Sequence, residues 1–286
     1  MISRACNARI ALRAAVTSLL LLSGASLTFV PEPVRGETAA QAARKPVQPP
    51  MPYRLADGHP NWTGFWAPSP GMLEFNIGLG GVPAGAPLAA MVRPFSHFSA
   101  LKSPYKEQLA TAMREADAGK VMDPVAQCFP PGMPRMMGMV YGMELLQTPG
   151  QIAVTSEWQA SSRRIWLNQS SHTPAEELDP TYAGESIGHW EGDTLVVDTI
   201  GIRGDVPLNY DSLPHSDKLH VVERFTETTP GKLTDEITIE DPDAFVAPWK
   251  EIETYRYRPD LRIREFVCLE NNRNVGEHGE AVFDKK

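Results

Sequence analysis

Ile187-Gly188-His189-Trp190-Glu191-Gly192-Asp193-Thr194-Leu195-Val196-Val197-Asp198-Thr199-Ile200-Gly201 decides how this chain is read. The stretch has the form of a β-hairpin. Its first arm ends at Trp190. Glu191-Gly192-Asp193 reverses the chain, where Gly takes positive φ without a Cβ clash. The second arm is a run of β-branched and apolar residues, which favours a strand. Side chains alternate between the faces of a strand. Leu195, Val197 and Thr199 therefore share one face, and Thr194, Val196, Asp198 and Ile200 share the other. Asp198 is a carboxylate among apolar neighbours, so it belongs to an edge or a turn, or points into a wet cavity.

The same pattern recurs along the chain. Glu144 to Gln147 and Gln151 to Trp158 flank Thr148-Pro149-Gly150, and Arg163 to Leu167 follows. Leu219 to Thr226 and Lys232 to Ile239 flank Thr229-Pro230-Gly231, and Glu251 to Arg258 and Ile263 to Cys268 complete the series. Strands joined by short turns predict an antiparallel meander. A twisted meander of about eight strands closes on itself, because closure removes unpaired edges, and encloses room for one small ligand. Ser103 to Gly119 reads as the one helix, with Ser103 as cap, Pro104 in the first turn and Gly119 as stop. Leu101, Tyr105, Leu109, Ala112, Met113 and Ala116 fall on its apolar face. Residues 68–94 are rich in Gly, Pro and Ala and read as a long loop over a cavity mouth.

Residues 1–30 have the order of a secretory signal peptide. Arg4, Arg9 and Arg13 precede the apolar run Ala14 to Leu22, and Ser23-Gly24-Ala25-Ser26 supplies small residues. The apolar run falls short of the ~20 residues that a spanning helix needs. Residues 31–52 read as a flexible leader and 53–286 as a single β domain. The expected location is the periplasm or the exterior, with no integral membrane segment after signal cleavage. The net charge is −8, and residues 1–30 contribute three arginines and no acid. The mature chain is thus more acidic still, which argues against nucleic acid as a partner. Cys6 leaves with the signal peptide, and Cys128 and Cys268 remain as an even pair in an oxidising compartment. A disulfide between them is expected, worth ~4 kcal/mol in the chain-entropy model.

Several segments together carry a resemblance. They are Cys128-Phe129-Pro130-Pro131-Gly132-Met133-Pro134-Arg135, Asp179-Pro180-Thr181-Tyr182, the central hairpin, His215-Ser216 with Leu219-His220-Val221-Val222-Glu223-Arg224-Phe225, and Cys268-Leu269-Glu270-Asn271-Asn272. Over roughly Asn61 to Arg273 the chain resembles a family of secreted, mostly uncharacterised bacterial lipocalin-like β-barrel proteins. Gly64-Phe65-Trp66 is likewise similar to the Gly-x-Trp that opens such barrels, where the Trp packs across the closed end. The resemblance implies an exported barrel with an internal pocket, and it brings no catalytic set. The expected fold is mainly β: an antiparallel lipocalin-like barrel with one packed α-helix and long N-terminal loops.

Polar groups within the β region are the candidates for chemistry, because a buried charge needs a partner or a task. His172, Tyr182 and Glu185 lie just before the central hairpin, Asp198 lies on it, His215 lies in the irregular stretch after it, and His220 starts a strand. A histidine titrating near neutrality moves a proton, Asp198 or Glu185 orients it, and Tyr182 or Arg164 stabilises developing negative charge. Trp158, Trp190 and Met137 are expected to supply apolar pocket walls, and Glu270 and Asn271 hydrogen-bonding groups. Glu157 with Arg163 and Arg164 reads as a cross-strand ion pair.

Two metal readings stand beside these. His172, His215 and His220 with a carboxylate would form a His-rich site, although no His-x-His occurs. Met133, Met136, Met137, Met139 and Met143 would suit Cu(I), or form a conformable apolar lining. No cofactor motif appears: Gly78-Leu79-Gly80-Gly81 opens no helix. Gly184-Glu185-Ser186-Ile187-Gly188 has the letters of a nucleophile elbow but runs from loop to strand with no helix after it. The expectation is a cofactor-independent lyase or isomerase that transfers protons on a small aromatic or hydrophobic compound held in a barrel pocket. The alternatives are a non-catalytic periplasmic small-molecule binder or carrier, and a structural envelope protein with a filled barrel.

Overall fold

The computed structural model describes residues 53–69, 100–120 and 123–270. Nine strands form one closed, lipocalin-like barrel: β1 Gly64–Pro68, β2 Met143–Thr148, β3 Gln151–Ser156, β4 Ser162–Trp166, β5 Glu185–Glu191, β6 Thr194–Ile200, β7 His220–Thr229, β8 Lys232–Glu240 and β9 Trp249–Tyr257. Each strand pairs with its sequence neighbours, and β9 returns to β1 through Trp66 opposite Tyr257. The central hairpin is β5–β6, with His189 opposite Val196 and Gly192 at φ 63° in the turn. The loop expected over residues 68–94, the leader and the signal-like segment lie largely or wholly outside the described residues.

The meander departs from expectation at one step: β4 and β5 are parallel, with Ile165 opposite Ser186. An odd number of strands cannot close with every neighbouring pair antiparallel. The parallel pair resolves that parity, and it requires a return connection along the length of the barrel. Residues 167–184 make that return. Leu178 packs over Gly201, and Thr181 bridges Ile202, so the return runs beside the end of β6.

The two barrel ends differ as a result. One end carries the tight turns 149–150, 192–193 and 230–231. At the other, here called the open end, arrive the return 167–184 and the connections 201–219 and 241–248. Long connections on a rigid frame are where functional groups collect.

Strand alternation sends Leu195, Val197, Val221, Leu233, Ile237 and Ile239 inward, each at most 1% exposed. Met133, Met136 and Met137 join the same core, as do Trp62 and Trp66. The methionines thus serve as an apolar filling, which their unbranched chains suit. Their segment is pinned by Asp123, which takes hydrogen bonds from Arg135 Nη1 and Nη2 at 2.6 and 2.8 Å in a buried pair.

Helix α1 spans Tyr105–Asp117 and is shorter than the sequence suggested. Pro104 takes the cap position, and the Ser103 hydroxyl donates to Glu107 Oε1 instead. Only Leu109 is buried on it, and Met113 of the expected apolar face is exposed. Ile263 to Cys268 forms no strand up to its final one-turn 3-10 helix at Cys268–Glu270. The barrel is already closed by β9 and β1, so no free edge is left for it. The segment folds back instead, and Cys268 is disulfide-bonded to Cys128 with Cα atoms 5.6 Å apart. No described helix is long and apolar enough to cross a membrane.

Candidate functional site

Four of the residues singled out from the sequence meet at the open end. Glu185 begins β5, Asp198 lies near the end of β6, and His220 begins β7, all on the outer face of the wall. His172 reaches them from the return connection. Its Nδ1 lies 2.9 Å from Glu185 Oε1, and its Nε2 lies 3.0 Å from Asp198 Oδ1. His220 Nε2 approaches the same Asp198 oxygen at 2.9 Å. Glu240, across the ladder from His220, lies 3.4 Å from its Nδ1. Thr173 completes the chain by donating to Glu185 through its amide at 2.8 Å and its hydroxyl at 2.6 Å.

This arrangement follows from the local fold. Register places Ile187, Asp198 and Val222 side by side on three strands, so Asp198 stands between two apolar neighbours on the outer surface. Gly184, at φ 66°, delivers the chain into β5; a Cβ there would sit 2.5 Å from the Ile200 carbonyl oxygen. The group is half-buried, with side-chain exposure of 16% at His172 and 40% at Asp198.

The electrostatics match the contacts. The hydrogen bond from His220 holds the Asp198 carboxyl below the ordinary carboxylate range, against a desolvation cost. The same bond pushes His220 above the ordinary imidazole value, again against burial. Burial opposes ionisation of Glu185, but the hydrogen bonds from Thr173 and His172 outweigh it and lower its pKa.

The other expected residues lie elsewhere. His215 is buried between two carbonyl oxygens, Ser216 O at its Nδ1 and Val206 O at its Nε2, both 2.7 Å away. Burial lowers its pKa. It pins the connection 201–219 and does not join His172 and His220, so the three-histidine set does not assemble. Among the described residues no group of three or more His, Cys, Asp or Glu is placed to hold a metal ion. His215 instead borders an open cavity of about 550 Å³ with Tyr105, Asp217, Lys218 and Asp243.

Tyr182 has its ring beneath the Arg203 guanidinium, 4.9 Å from the centroid. Arg164 points outward from β4 into solvent. Trp158 packs with Tyr141 and Phe266 in a satellite cluster beside the disulfide. Trp190 stacks on His59 at 4.7 Å near the tight-turn end, away from His172 and His220. Met137 is buried in the core, Glu270 is exposed, and Asn271 lies outside the described residues. Ser186, the central letter of the elbow-like pentad, faces inward and shares a hydrogen bond with Thr199 Oγ1 at 2.8 Å.

A second polar group, unexpected as a unit, lies inside the barrel. Arg163 Nη2 donates to Glu223 Oε2 at 2.7 Å, with both side chains at most 1% exposed. Its Nη1 is 2.9 Å from Met133 Sδ. Asp235 on β8 stands opposite Glu253 on β9, and Tyr255 donates to the Met137 carbonyl at 2.7 Å. The arginine expected to pair with Glu157 is thus committed to Glu223, and Glu157 accepts from the Arg264 amide. Alternation carried the signal, since Arg163 shares a face with Ile165, and Asp235 shares one with Leu233 and Ile237.

Comparison of the chain with protein-family models and with curated protein sequences gave no match.

Proposed function

We propose that this chain is an exported, cofactor-independent enzyme of lyase or isomerase type that moves protons on a small, partly apolar compound at the open end of the barrel. The observation that carries this reading is the holding of His220. Its Nε2 is tied to Asp198 at 2.9 Å, while among the described residues its Nδ1 meets Glu240 at the longer distance of 3.4 Å. An imidazole oriented by a carboxylate on one nitrogen, with the other loosely held, is the arrangement of a general acid–base.

Asp198 orients His220 and favours its protonated form, so the ring can hold a proton and pass it on. His172, bound at both nitrogens, fixes Asp198 and Glu185 in place and is a positioning residue. Ile187 and Val222 offer an apolar bed beside Asp198 for an aromatic or aliphatic ligand. The disulfide supports export, since such bridges persist in oxidising compartments. The signal-like order of residues 1–30 supports the same destination.

The test is deuterium incorporation from heavy water into a panel of small aromatic and carbonyl compounds, read by mass spectrometry. His220→Ala is expected to lower exchange by ~10²- to 10⁴-fold. Equal exchange by wild type and variant would overturn the reading. A second reading, a non-catalytic periplasmic binder or carrier, is favoured by the cavity at His215, whose volume suits a small ligand. A binder would retain a co-purified ligand after His220→Ala and show no exchange at all.

A further inference from the structure

The polar group in the bore contains a chemical inconsistency that one hydrogen removes. Asp235 Oδ1 and Oδ2 and Glu223 Oε1 are buried and accept no hydrogen bond among the described residues. Ionised, they would be acceptors with no donor in a dry interior, which is costly. Bulk water does not relieve them, because each of these atoms is sealed from solvent.

Charge points the same way. Arg163 from β4 is the cation that the described residues bring to Glu223 and Asp235, and its Nη2 is already bonded to Glu223 from β7. Glu253 and Tyr255 from β9 also face Asp235, with Glu251 further along the same strand face. Glu223 already holds Arg163, so an ionised Asp235 would add a second negative charge beside it with no donor of its own. Register sets Asp235 diagonal to Glu223 on the same face of neighbouring strands, a spacing that long side chains can bridge.

We propose that the barrel bore is a proton-binding site, in which Asp235 stays protonated at neutral pH and donates its hydrogen to Glu223 Oε1. The added hydrogen turns two facing acceptors into a donor and an acceptor and leaves Glu223 as the single counter-charge to Arg163. Burial first, and the Glu223 charge second, push the Asp235 carboxyl well above the usual range. Met133 touches Arg163, and Met137 is tied to Tyr255, so the methionine segment rests on the same cluster. Loss of the proton puts a second negative charge beside Glu223 and loosens that segment. This inference is independent of the proposed activity at His220.

Infrared spectroscopy of the disulfide-bonded chain, with and without carboxyl-labelled aspartate, tests it. A protonated-carboxyl stretch that shifts with the label and is absent in Asp235→Asn is expected at neutral pH. No such band, or one insensitive to the aspartate label, would overturn the proposal. Unfolding measured against pH gives a second readout. The wild-type folding constant is expected to fall about tenfold per pH unit relative to Asp235→Asn, from about pH 5 upward, until the site deprotonates. Parallel curves would overturn it. Should Asp235→Asn fail to fold, Asp235→Leu takes its place in both readouts, since an apolar side chain needs no partner in the dry interior; a labelled band that persists in that variant would overturn the proposal.

Discussion

The barrel wall carries two polar groups back to back, and they obey different rules. Outside, His172, Glu185, Asp198 and His220 touch water, and each contact is one hydrogen bond in a partly screened chain. Inside, Arg163, Glu223 and Asp235 are sealed from water, where an unmet bond costs far more. The outer group can exchange protons with a visiting molecule. The inner one can change its charge only with a change in the barrel itself. Residue-type counts do not separate the two; strand parity does.

The largest expected effect lies inside. Arg163→Met strands the Glu223 charge and is expected to cost about 3–5 kcal/mol in urea unfolding, with most of it recovered by adding Glu223→Leu. A cost no greater than that of Asp198→Asn would erase the distinction between the groups. Next comes Gly184→Ala, which forces a side chain into positive φ against the Ile200 carbonyl. It is expected to lose about 1–3 kcal/mol and to shift the Glu185 and His172 resonances in NMR spectra.

Asp198→Asn is expected to cost under about 1 kcal/mol, because the ion pair is partly exposed and screened. Its signature is the titration of His220, which should move down toward the ordinary imidazole value. The pH dependence has a defined sign. His220 is raised in the folded state, so its contribution is full below about pH 6.5 and is lost as pH rises through the folded pKa. Asp198 is lowered, so its contribution is full above about pH 4 and is lost as acid protonates it. Melting curves of wild type and His220→Gln should therefore converge on the alkaline side. The smallest effect is expected from Arg224→Ala, which removes an exposed pair with Glu191 and should leave the unfolding midpoint in place.

The barrel was legible because period-2 alternation and Gly-containing turns are local. Leu195, Val197 and Thr199 face inward as alternation requires, and the Cys pair bridges. The parallel step was not legible, because it follows from the global parity of nine strands and no residue announces it. The meeting of His172 with Asp198 depends on that step and was hidden with it. The choice of Arg164 over Arg163 was a one-residue matter. Extending the face of Ile165 backward by two positions selects Arg163. His215 looked reactive because nothing in its neighbourhood discloses that two main-chain carbonyls enclose it.

The bridge from Cys128 to Cys268 makes a covalent hoop that contains eight of the nine staves, and only β1 stands outside it. Gly64–Pro68 is consequently a stave outside the hoop, seated between β2 and β9 and held there by ladder bonds and by the packing of Phe65 and Trp66. A hooped fragment beginning ahead of Cys128 would present one vacant slot, shaped for a short strand bearing Phe65 and Trp66, and a synthetic peptide of that sequence is its natural complement.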